Sequence, residues 1–153
     1  MHYTKMTLDE LEEQDRQLHL QSDELEESLM YRQKIELYTA MHHKVKQMVR
    51  RNPEEQSYLE TITERLVFNL VHYGTYLKMA DQKVDQVAIP SLEKALRYDP
   101  RNPIAAYRLG FLSYRKSDFM NSAKYFQMAI TSERANTDTK MPLTDRQKLN
   151  AQL

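Results

Sequence analysis

Residues 91–134 read SLEKALRYDPRNPIAAYRLGFLSYRKSDFMNSAKYFQMAITSER, and the pattern of this stretch decides the fold. Leu92, Ala95 and Leu96 close one helical face, and Asp99-Pro100-Arg101-Asn102-Pro103 turns the chain. Beyond the turn come small Ala106, Gly110 and Ala129 and larger Leu109, Phe119 and Phe126. With 2 Gly and 5 Pro in the whole chain there are few other places to turn, and between them the apolar period is helical nearly everywhere. The expectation is an all-α protein.

Working toward the N-terminus, Pro90 sits in a helix predicted over about 84–98, where it either kinks the helix or lies close enough to its start to cost little. The preceding helix is predicted from Pro53 to about Asp81, opened by proline in its first turn and by Glu54-Glu55 at the positive end of the helix dipole. Leu59, Ile62, Leu66, Leu70, Tyr73 and Leu77 form one face, which Phe68, Val71 and Tyr76 widen, so this helix is expected to be sandwiched between layers. Residues 24–51 carry Tyr31, Ile35, Tyr38, Met41, Val45, Met48 and Val49 at three- and four-residue steps, ending at Arg50-Arg51-Asn52-Pro53.

The first helix begins at Thr7, with Glu10 completing a capping box. Leu11, Leu18 and Leu25 repeat every seven residues, but Asp15 and Ser22 occupy the companion positions, so the coiled-coil seam is half made. Residues 1–29 hold nine acidic against two basic groups, net −7, and residues 30–51 hold six basic against one acidic, net +5. That opposition predicts that the first thirty residues dock on the second helix. The N-terminal region, 1–52, is therefore read as a helical hairpin or one long bent helix.

Lys+Arg and Asp+Glu are both 22, which removes a global electrostatic case for nucleic acid or membrane partners. The chain has no cysteine, excluding disulfides and thiolate metal sites and fitting a reducing compartment. No apolar run reaches the roughly 20 residues of a membrane span, and the N-terminus lacks a signal core. The expected location is the cytoplasm.

The quoted stretch resembles the end of one tetratricopeptide repeat followed by a complete second one, a helix-turn-helix unit of about 34 residues. Ala106, Leu109, Gly110, Phe119, Phe126 and Ala129 fall where that family places its packing residues, with Ser117 where glycine is usual in the turn and Ser122 where alanine is usual. Residues 66–99 resemble a first, degenerate repeat with Gly74 and Ala88 as its small crossing residues. Its inter-helix turn at Ala80-Asp81-Gln82-Lys83 is about two residues longer than the family pattern. The resemblance implies a right-handed α-α superhelix: residues 53–134 as two helix pairs, 66–99 and 102–134, then a loop and short helix over 135–153. Because such arrays stack about three units under a polar cap, a helix beginning at Thr144-Asp145 suggests one portion of a longer array.

The residues offer little for catalysis. His42 and His43 diverge by about 100° on a helix and cannot chelate as an i, i+4 pair does; His42 is expected at the edge of an apolar face and His43 in water. Gly74 and Gly110 stand alone inside helices, so there is no phosphate-binding glycine loop. The acidic run Asp9 to Asp15 lacks the glycine and alternating oxygens of a calcium loop. An enzyme is not expected, nor a cofactor or metal.

On residues 103–115, Ile104, Tyr107, Phe111 and Tyr114 make an apolar stripe. The resemblance implies that this side lines a concave groove, so the candidates for partner binding are Val71, Thr75, Lys78, Tyr107, Phe111, Tyr114 and Arg115. Members of the family that bind chaperone C-termini hold a carboxylate with Lys and Asn at groove positions; Val71, Thr75, Tyr107 and Phe111 stand there instead. An apolar ligand anchored by aromatic side chains fits better. Such a stripe is covered by the chain's own N-terminal helices or C-terminal segment, by a twin chain as a homodimer, or by a foreign helix or peptide. The functional expectation is a protein-binding adaptor or regulatory scaffold. The alternative is a bacterial signalling regulator that senses a small peptide in its repeat groove.

Overall fold

The computed structural model describes residues 3–48, 52–78, 85–135 and 143–152. Among these there is a 3₁₀ turn at Tyr3–Lys5, seven α-helices and no strand. The helices are α1 (Leu8–Leu20), α2 (Glu27–Lys46), α3 (Pro53–Lys78), α4 (Asp85–Tyr98), α5 (Pro103–Arg115), α6 (Phe119–Ala135) and α7 (Asp145–Gln152). The chain divides into two compact units, residues 1–73 and 74–153. The division falls within α3, whose Tyr58, Arg65 and Tyr73 engage Glu12 and Asp15 of α1 and Tyr31 of α2.

In the first unit, α1 and α2 form the hairpin. Thr7 Oγ1 accepts from the Glu10 amide and Glu10 Oε1 accepts from the Thr7 amide, the reciprocal cap expected from the sequence. The helix ends at Leu20 and the chain turns through 21–26, so Leu25 does not continue the seven-residue seam. Leu11 and Leu18 are buried, and α1 docks.

Asp15, the polar break in that seam, is where the three helices are tied. The Tyr38 hydroxyl of α2 donates to Asp15 Oδ1 at 2.7 Å, and Arg65 Nη1 of α3 donates to Oδ2 at 3.4 Å. The cation that reaches α1 here comes from α3, not from the basic end of α2. The Tyr31 and Tyr73 rings, with centroids 6.2 Å apart, link α2 to α3. Burial first, and then the hydrogen bond to Asp15, push the Tyr38 hydroxyl far above its ordinary value of 10.0. Tyr58 of α3 is raised by burial and by Glu12 of α1.

The buried face of α2 contains Tyr38, Met41 and Val45 as expected, together with Leu37 and Ala40, while Ile35 is half-buried. The face is rotated toward Leu37, which pairs with Met41 and Val45 along one i, i+4 row. Val49 lies outside the described residues. His42 is half-buried and His43 exposed. α3 opens with a second reciprocal cap, Asn52 with Glu55, around Pro53. It buries Leu59, Ile62, Leu66, Val67, Leu70 and Val71, but Phe68 is exposed and stacks on His72 with centroids 4.0 Å apart. The helix is thus not sandwiched around its whole girth.

The second unit is held by two close approaches. A Cβ on Gly74 would lie 2.7 Å from Leu92 of α4, and one on Gly110 of α5 would lie 2.8 Å from the Phe126 ring of α6. Only glycine leaves room for a large side chain directly over the helix backbone at these points. The partners are 18 residues apart in the first pair and 16 in the second; the longer turn expected at 80–83 lies outside the described residues. Ser122 Oγ donates to the Gly110 carbonyl at 2.8 Å in a buried bond, which explains a serine where alanine would pack.

The turn DPRNP is built around Asn102, which is almost fully buried. Its Oδ1 accepts from the Ala105 amide and its Nδ2 donates to Asp99 Oδ2, capping α5 with Pro103 at the first helical position. α4 packs on α5 and runs through exposed Pro90 without ending there. At the far end of α5, the Ser117 amide donates to the Tyr114 carbonyl and the Asp118 amide to the Ser113 carbonyl, with Ser117 at φ 61°. This is the Schellman closure, with serine in the left-handed position that glycine prefers.

Replacing Ser117 by glycine removes the steric cost of that conformation and is expected to raise stability by about 0.5–1 kcal/mol, measured by urea unfolding. For the first unit, Asp15→Ala strands the Tyr38 hydroxyl and is expected to cost about 1–3 kcal/mol, more than Tyr38→Phe, which removes donor and need together. Because the folded tyrosine holds its proton above 10.0, its contribution is complete below that pH and is lost as pH rises through the raised value. Alkaline unfolding of Tyr38→Phe should accordingly show a shallower loss of stability above pH 10.0 than the parent.

Candidate functional site: an exposed aromatic corner

The proposed groove residues do not share one environment. Val71 is buried in the first unit at 1% exposure, and Tyr107 is buried in the second at 6%; neither is an open groove position. Tyr107 belongs to a cluster with Ala106, Ala129 and Leu143, against which Ile104, Phe126, Met128 and Ala151 pack. Its ring lies 5.6 Å from that of Phe126, and its hydroxyl oxygen accepts from Asn150 Nδ2 at 3.4 Å. The cover over this part of the stripe is therefore the chain's own C-terminal segment: Leu143 and α7, whose start is fixed by reciprocal hydrogen bonds between Thr144 and Gln147. Thr75 and Phe111 are half-buried, and the side chain of Lys78 lies outside the described residues.

Tyr114 and Arg115 remain exposed. Tyr114 is three residues beyond Phe111 on the same side of α5, and its ring meets that of Phe119 edge-on at 5.4 Å. Phe119, expected in the core, stands exposed at the first position of α6, and Met120 beside it is 84% exposed. The reason is the tight closure at Ser117: α6 starts two residues after the left-handed turn, so its first side chains project from the corner before the helix lies down on α5. Asp118 caps α6, accepting from the Asn121 amide and from Asn121 Nδ2. The result is an aromatic and methionine patch, Tyr114, Phe119 and Met120, bordered by exposed Arg115, Lys116 and Lys124.

The sequence reading missed Phe119 and Met120 as surface residues. One clue was present: Phe119-Met120 directly follows Ser117-Asp118, and a helix's first turn has no preceding turn of its own to cover it. Half-buried Arg108, whose pKa is lowered by burial, adds a further positive charge to α5. Among the described residues no group of His, Asp and Glu side chains is arranged to hold a metal ion, and no helix is long and apolar enough to cross a membrane.

Compared with known proteins, the chain matches no protein-family model, no curated protein and no solved structure.

The two aromatic sites should respond differently to truncation. Tyr107→Ala opens a cavity beneath α7 and is expected to cost about 3–5 kcal/mol. Tyr114→Ala loses little more than its edge-on contact with Phe119, below about 1 kcal/mol. Thermal unfolding of the two variants side by side measures the difference.

Proposed function

We propose that this chain is a cytoplasmic helix-pair protein of the tetratricopeptide kind, acting as an adaptor or regulatory scaffold with no catalysis of its own. Two successive helix pairs that each seat a large side chain over a glycine, Gly74 beneath Leu92 and Gly110 beneath Phe126, support the repeat reading. The observation that carries the function is the exposed Tyr114–Phe119–Met120 patch. Aromatic residues and methionine with neighbouring arginine are the composition of a protein-docking surface, and three large apolar side chains at one corner are more than solubility favours. The site proposed for a helix or peptide is therefore this corner with the outer part of α5, rather than a groove running back to Val71 and Tyr107.

The test compares proteins captured from cell lysate by the parent chain and by a Tyr114→Ser/Phe119→Ser variant whose helicity and melting temperature are checked first. A partner retained by the parent and lost by the variant is the expected result. Identical captured sets would refute the corner as the binding surface.

A further inference from the structure

We propose that the aromatic corner of one chain receives the α1–α2 tip of a second copy, an inference that rests on the reading of the corner as a docking surface. Within residues 108–124 there are four basic residues, Arg108, Arg115, Lys116 and Lys124, and one acidic residue, Asp118. With the Asp118 carboxylate included, this stretch carries a net charge of +3. What docks there must bring acidic groups around apolar side chains.

The tip of the first hairpin has that composition. Residues 17–31 contain Asp23, Glu24, Glu26 and Glu27 and no Lys or Arg. All four carboxylates are exposed. Leu20, at the end of α1, is 76% exposed, and Leu29, in the first turn of α2, is exposed beside them. Glu26, at the N-cap of α2, makes no side-chain capping bond, so its carboxylate is not committed to the helix end. Leucines ringed by acid thus face aromatics and methionine ringed by base.

Leu20 and Leu29 are exposed within the first unit, and Tyr114, Phe119 and Met120 within the second. The whole sequence carries the same asymmetry. Residues 1–73 hold fourteen acidic and nine basic groups, net −5, and residues 74–153 hold eight acidic and thirteen basic, net +5. A chain neutral overall but divided in this way attracts its own kind head to tail, and long-range steering favours that encounter over like-to-like pairing. Because tip and corner are different surfaces, the junction either closes, as a reciprocal pair or a larger ring, or extends into an open chain of copies.

Sedimentation of the full chain over a range of concentrations tests this. Weight-average mass should rise with concentration, and should fall back toward the monomer when salt is raised from about 0.1 M to about 1 M, which shortens the screening length from ~10 Å to ~3 Å. Two charge-reversed variants, Lys116→Glu/Lys124→Glu at the corner and Glu24→Lys/Glu26→Lys at the tip, should each associate at least tenfold more weakly than the parent. Mixed together they should associate again, since each reversed surface then meets its opposite on the other variant. Leu20→Ser, which changes no charge, should also weaken association and guards against a folding defect in the reversed pairs. A chain monomeric at every concentration, association indifferent to the reversals, or failure of the mixture to recover would each overturn the inference. If the chain is monomeric while its captured partner is still lost on Tyr114→Ser/Phe119→Ser, self-pairing fails and the docking surface stands. If neither effect is seen, both fail.

Discussion

The close approach of α5 and α6 at Gly110 is the constraint on which the second unit depends. A phenylalanine ring lies directly over the backbone of a helix, and a buried serine hydroxyl donates to the carbonyl of the same glycine. Any side chain at that position would push Phe126 away, and Phe126 is what Tyr107 packs against. The cluster that accepts Leu143 and α7 thus rests on one missing methyl group. The same close seating fixes the corner at the other end of the pair: with α6 held tight on α5, only a left-handed residue and a shared cap fit between them, and Phe119 and Met120 are left outside.

The first unit is organised differently. Its centre is an aspartate in an otherwise apolar seam, bonded by a tyrosine hydroxyl from α2 and approached by an arginine from α3. The Asp15–Arg65 pair is partly exposed and contributes little on its own. Its value lies in register: with Leu11 and Leu18 supplying the burial, the polar tie specifies which face of α2 and which turn of α3 meet α1.

Much of the fold was legible along the chain because it is local. The reciprocal caps at Thr7 and Asn52, the DPRNP turn and the two crossing glycines depend on residues within a few positions of one another, or on a side chain whose absence is itself the message. The site was legible only in part. Tyr107, Phe111 and Tyr114 share a helical stripe, but periodicity states which residues lie on one face and is silent on what covers that face. Leu143 and α7 cover Tyr107 from some forty residues away, while Tyr114 at the open end stays exposed. Phe119 was assigned to the core because a large residue stands at a packing position; the geometry of a helix's first turn overrode it.

The sequence by itself determined the all-helical class, the cap at Thr7, the two glycines inside helices and the uneven placement of charge, since each follows from backbone chemistry or from counting. Only the tertiary structure decided that Asp15 joins three helices, that Leu37 and not Ile35 turns inward, that Val71 and Tyr107 are buried, and that Tyr114, Phe119 and Met120 stand exposed at one corner. Burial is a property of pairs of faces, and one helix carries the pattern of only one of them.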